Sequence, residues 1–84
     1  MSDTEIEYHL LRLEGRTARP EFRGIDPALV LQIRNDLITL GMLAWEPLPD
    51  SVLSGRRLTE KATLRVTDAG YRRIEELQRI LGIT

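Results

Sequence analysis

The run IDPALVLQIRNDLITLGML, from Ile25 to Leu43, carries a helix start, an apolar face and a helix stop in unbroken order. Asp26 is placed to cap the helix and Pro27 to open it, where a missing N–H costs nothing and the fixed φ is already helical. Gly41 predicts the stop, because glycine takes the left-handed conformation that closes a last turn. Val30, Ile33, Leu37 and Leu40 recur at the spacing of one buried face. Leu29, Leu31 and Ile38 lie off that face, so the helix carries more apolar side chain than one small core takes up.

The other stretches arrange themselves around this helix. Ser2 with Glu5 three residues on predicts a capping box and a first helix in which Ile6, Leu10 and Leu13 line one face with Leu11 beside it, ended at Gly15. Pro20 and Gly24 confine RTARPEFRG to a short helix or turn, anchored by Phe22. Met42 to Leu48 predicts a strand that turns Leu43 and Trp45 inward and ends at Pro47 and Pro49. A loop with Arg56 and Arg57 at its tip leads to a second strand, Ala62 to Thr67, with Leu64 and Val66 facing in. Thr67 caps a last helix whose apolar stripe is Tyr71, Ile74, Leu77 and Leu81, with Ile80 beside it, and Gly70 in its first turn predicts close packing.

At 84 residues the chain is expected to form one domain, 1–84, too small for an active-site cleft between lobes. The chemistry is equally spare. There is no cysteine, and His9 is the one histidine, so neither a disulfide nor a metal site is expected. No glycine-rich phosphate loop is present, and Glu75 and Glu76 are neighbours that do not face each other on a helix. No catalytic residue and no cofactor is therefore expected, and the chain does not read as an enzyme. The formal net charge of -1 exerts no overall pull toward nucleic acid or membrane. It hides a gradient: Arg34 is the one cation between Asp26 and Asp50, whereas Arg56, Arg57, Lys61, Arg65, Arg72, Arg73 and Arg79 crowd the C-terminal third. No apolar run approaches the ~20 residues of a membrane span, and the polar, acidic start is unlike a signal peptide, so a cytoplasmic protein is expected.

The order helix, short helix, capped helix, hairpin, helix resembles the winged helix-turn-helix arrangement. The run IDPALVLQIRNDLITLGMLAWE, a long loop and then LRVTDAGYRRIEEL are similar to the third helix, wing and following helix of MarR-like and PadR-like bacterial regulators. Thr67, Asp68 and Gly70 stand where those families open the helix after the wing. The resemblance implies an α+β, mostly helical fold: three helices, a two-stranded β-hairpin wing and a C-terminal helix. It further implies a transcriptional regulator of bacterial, plasmid or phage type that binds double-stranded DNA as a homodimer. The central helix would enter the major groove with Ala28, Leu29, Leu31, Gln32, Asn35 and Asp36, of which Ala28, Gln32 and Asn35 would contact bases. Arg56, Arg57 and Lys61 of the wing would hold phosphates. Tyr71, Ile74, Leu77 and Leu81 would form the dimer contact.

The surplus apolar residues support a second reading, a winged-helix protein-interaction module. Here an adaptor or inhibitor of phage or plasmid type would dock a protein partner through Leu29, Leu31 and Ile38, with Asp36 at the rim.

Overall fold

The computed structural model describes residues 1–46 and 63–83. The chain folds as a mixed α+β, mostly helical unit of three α-helices and a two-stranded antiparallel sheet. Helix α1 spans Asp3–Arg12, a 3₁₀ turn covers Pro20–Phe22, and α2 spans Pro27–Thr39. Strands β1, Leu43–Trp45, and β2, Leu64–Val66, follow, and α3 closes the fold over Asp68–Leu81.

Each helix starts where local chemistry predicts. Ser2 Oγ accepts from the Glu5 N–H at 3.2 Å, and the Glu5 carboxylate accepts from the Ser2 N–H at 3.3 Å, a complete capping box. Hydrogen bonds from the backbone and then the side chain of Ser2 hold the Glu5 carboxyl below its ordinary pKa. A lowered folded pKa stabilises above the unfolded carboxyl range, and that contribution is lost as pH falls through the folded value. Asp26 Oδ1 accepts from the Ala28 N–H at 3.0 Å, with Pro27 in the first helical position. Gly41 takes a φ of +77° and ends α2 as expected.

Helix α1 is the centre of the core. Ile6, Leu10 and Leu11 are fully buried, Tyr8 is buried on another side of the helix, and α2 and α3 both pack on it. Phe22 anchors the 3₁₀ turn, which stays short because Pro20 and Gly24 leave room for one turn only. His9 packs edge-on between Tyr8 and Phe22, at ring separations of 5.6 and 6.4 Å, as a half-buried boundary residue. The sheet pairs Leu43 with Val66, Ala44 with Arg65 and Trp45 with Leu64. Leu43, Leu64 and Val66 face the core, and Arg65 lies on the outer side.

Two contacts lock α3 in place. The Thr67 hydroxyl accepts from the Gly70 N–H at 3.1 Å and donates to the Gly41 carbonyl at 2.6 Å, so one side chain caps α3 and ties it to the end of α2. Gly70 lies so close to β1 and β2 that an added Cβ would fall on the Met42 carbonyl oxygen and on Val66 Cγ1. Further along, Arg73 grips Glu7 of α1 with Nε and Nη2, at 2.9 and 3.2 Å, and Glu76 with Nη1 at 2.7 Å. The Glu7 hydrogen bond is the main reason the Arg73 pKa is raised further, so the guanidinium keeps its charge.

Several expected core positions differ. Leu40 is 64% exposed: it is the C-cap of α2, where the chain leaves the helix and no element covers it. Trp45 is 50% exposed, although it alternates with Leu43, because β1 ends there and the core has already run out. The expected dimer stripe is corrected too. Ile74 and Leu77 are buried inside the chain and Leu81 is partly buried against the same core, which leaves only Tyr71 of the stripe in solvent, at 60% exposure. Among the described residues no helix is long and apolar enough to cross a membrane.

Candidate nucleic-acid interface

The outward face of α2 is the surface on which the sequence placed base contacts. A turn of about 100° per residue puts Ala28, Gln32, Asn35 and Thr39 in one row. All four are exposed, so the structure brings the expected Ala28, Gln32 and Asn35 together on one open face. Gln32 and Asn35 carry amides that both donate and accept. The Thr39 hydroxyl is turned back onto its own helix, donating to the Asn35 carbonyl at 3.0 Å. Leu31 and Asp36 flank the row on opposite sides and are exposed.

Leu29 leaves this set. It is half-buried and packs against the core, so it does not face outward. The second expected surface, Leu29, Leu31 and Ile38 with Asp36, does not form one patch either. By helical geometry Leu31 and Ile38 share one flank of α2, while Leu29 and Asp36 share the other. Leu29 and Ile38 are both partly buried against the core, and Leu31 is the exposed apolar residue of the group.

The charges are distributed unevenly around this face. Asp26 and Asp36 are its exposed charges, and Arg34 is half-buried on the inner flank of α2. Exposed positive charge is carried by other elements. Arg65 projects from the outer side of β2, and Arg16, Arg19 and Arg23 are exposed along the segment between α1 and α2. Arg56, Arg57 and Lys61, the expected phosphate contacts, lie outside the described residues.

An open cleft of about 990 Å³ separates the segment after α1 from the end of the sheet, and sequence reasoning did not find it. Its lining comprises Glu14 to Arg19, Arg34 of α2, and Trp45, Glu46, Thr63 and Leu64 around the strand ends. The signal that hinted at it was Arg34, the lone cation of the central helix, set toward the inner side. Nothing in the spacing of the chain showed that Trp45 would line the same cleft, because it joins residues distant in sequence. Among the described residues no group of histidine, aspartate and glutamate is arranged to hold a metal ion.

Comparisons with protein-family models, with curated proteins and with solved structures return no match.

Proposed function

We propose that this chain is a small winged-helix DNA-binding protein, a transcriptional regulator of bacterial, plasmid or phage type. In this reading α2 enters the major groove and the β1–β2 hairpin is the base of the wing. The observation that carries it is the open row Ala28, Gln32 and Asn35 on α2. Two amides one turn apart on an exposed helix face suit bidentate pairing to adenine edges, and the alanine permits close approach. Arg65, exposed on the outer side of β2, would supply the phosphate term together with Arg56, Arg57 and Lys61, which lie outside the described residues. A homodimer would draw on apolar residues that α3 leaves in solvent, Tyr71 and Ile80, rather than on Ile74 and Leu77.

The test is fluorescence anisotropy of labelled random duplex DNA across a salt series, with oligomeric state read by light scattering in the same buffers. The proposal expects low-salt binding that falls steeply with salt. Replacing Arg56 and Arg57 with alanine weakens binding to all sequences alike. Replacing Gln32 or Asn35 with alanine relaxes preference at one position, by about 1–3 kcal/mol of discrimination. No binding at the lowest salt overturns it.

That outcome favours the second reading, a protein partner docked on α2. Its supporting observation is Leu31, 40% exposed on the flank shared with Ile38. There Leu31→Glu abolishes capture of the partner while leaving the thermal midpoint unchanged.

A further inference from the structure

We infer that the cleft between the segment after α1 and the strand ends binds a nucleotide, with the base on Trp45 and the phosphate on Arg34 and Arg16. This goes beyond the DNA reading and uses a different surface from the outward row of α2.

Arg34 is the first ground. Among the described residues its buried Nε–H finds no hydrogen-bond acceptor, and its Nη2 makes a long 3.5 Å contact to Asn35 Oδ1. The outer N–H groups of Arg34, which have no carboxylate partner among the described residues, form the planar fork that matches the oxygens of a phosphate.

Trp45 is the second. It lines the same cleft, is half exposed and is not part of the buried core. An indole in a cleft that also carries guanidinium groups offers a surface on which planar bases stack.

The charged lining holds one more cation than anion. Arg16, Arg19 and Arg34 line the cleft against Glu14 and Glu46. Glu46 accepts from the Thr63 hydroxyl at 3.2 Å and keeps its charge, and Glu14 is exposed. Arg19 is drawn toward Glu21, at 3.8 Å, which leaves Arg16 and Arg34 for the ligand. Two guanidiniums fit a phosphate better than the single charge of a carboxylate. The volume, about 990 Å³, is ample for one nucleotide and lies within the range of small-ligand sites.

The nucleotide can be free or an unpaired residue of a strand, and both present a base and a phosphate. Trp45 is the single tryptophan of the chain, so its emission reports on this site alone. The full chain is titrated with AMP, adenosine and hexadeoxyadenylate. The expected result is a saturable change in emission with AMP or with the oligonucleotide, and a much weaker response to adenosine. Response to AMP identifies a free mononucleotide, and response to the oligonucleotide alone identifies a strand. Arg34→Gln and, separately, Arg16→Gln each raise the Kd about tenfold, the loss of one charge-assisted contact. Arg16 is exposed, so its variant keeps the parent thermal midpoint and remains informative should Arg34→Gln fold poorly. The inference is overturned by the absence of a saturable change with either probe, by adenosine binding as tightly as AMP, or by a folded Arg16→Gln with unchanged affinity. Anisotropy of a labelled duplex in the same buffers separates the two readings. Duplex binding without a nucleotide response removes the cleft and leaves the DNA reading, and a nucleotide response without duplex binding does the reverse.

Discussion

Helices α2 and α3 are nearly equal in length, 13 and 14 residues, but they treat solvent in opposite ways. Helix α3 buries Gly70, Ile74 and Leu77 and covers its outer face with Arg72, Glu75, Glu76 and Arg79, at spacings that let opposite charges meet. Helix α2 fully buries only Val30 and Leu37, and its outer face holds Ala28, Gln32, Asn35 and Thr39, with Leu31 at its edge. A helix whose whole task is packing gains solubility from charge on its far side. The α2 face, with Asp36 at its flank and amides and a leucine otherwise, costs less to dehydrate against another molecule than a face of paired charges. The DNA reading assigns binding to α2 and packing to α3.

The sharpest way to break that contrast is to cut the same side chain from each helix. Leu77 is fully buried and Leu31 is 40% exposed. Leu77→Ala should cost about 2–5 kcal/mol in urea unfolding. Leu31→Ala should cost less than about 0.5 kcal/mol. Equal losses would mean that α2 is as deeply committed to the core as α3.

Next in size are two glycines that fail for different reasons when substituted. Gly70→Ala places a methyl against the Met42 carbonyl and Val66, and should cost about 1–3 kcal/mol by overpacking. Gly41 has open space around it, so Gly41→Ala meets only the penalty of the left-handed backbone, about 1–2 kcal/mol. Thermal unfolding separates them: Gly41→Asn should recover part of the loss, since asparagine tolerates that conformation, and Gly70→Asn should recover none.

The two caps should differ less. Asp26 holds one N–H, whereas the Thr67 hydroxyl holds the Gly70 N–H and also donates to the Gly41 carbonyl. Within the range of about 0.5–2 kcal/mol for losing a cap, Thr67→Ala belongs at the upper end and Asp26→Ala at the lower. Chemical denaturation of both variants in one buffer checks the order, and Thr67→Ser should restore the difference.

What could be read from the chain follows the range of the forces involved. Ser2 with Glu5, Asp26 with Pro27, Gly41 and Thr67 act within a turn of helix, and each element begins or ends where they stand. Gly70 was also legible, because a glycine in a first turn has little local reason to be there. Periodicity found the apolar stripes but could not say what covers them. Ile74 and Leu77 were open to a second copy on sequence grounds, yet α1 and the sheet take them. Trp45 alternates correctly with Leu43 but lies past the edge of the core, and the sequence carries no mark of where that edge falls. The outward row of α2 was legible from helical spacing alone. The cleft was not, since it joins Arg16, Arg34 and Trp45 only through the tertiary fold.

The smallest expected effect on stability is the most discriminating one for function. Gln32 and Asn35 are exposed, and neither amide nitrogen donates to any other described residue. The double variant Gln32→Ala with Asn35→Ala should therefore keep the urea midpoint within about 0.5 kcal/mol of the parent. Alanine is the better helix former at both positions, so a small gain is the expected sign. Under the DNA reading the same variant loses sequence preference while its salt-dependent, non-specific affinity remains, because the phosphate contacts come from arginines elsewhere. A clear loss of stability would show that this row serves the fold, and α2 would then be a second packing helix like α3.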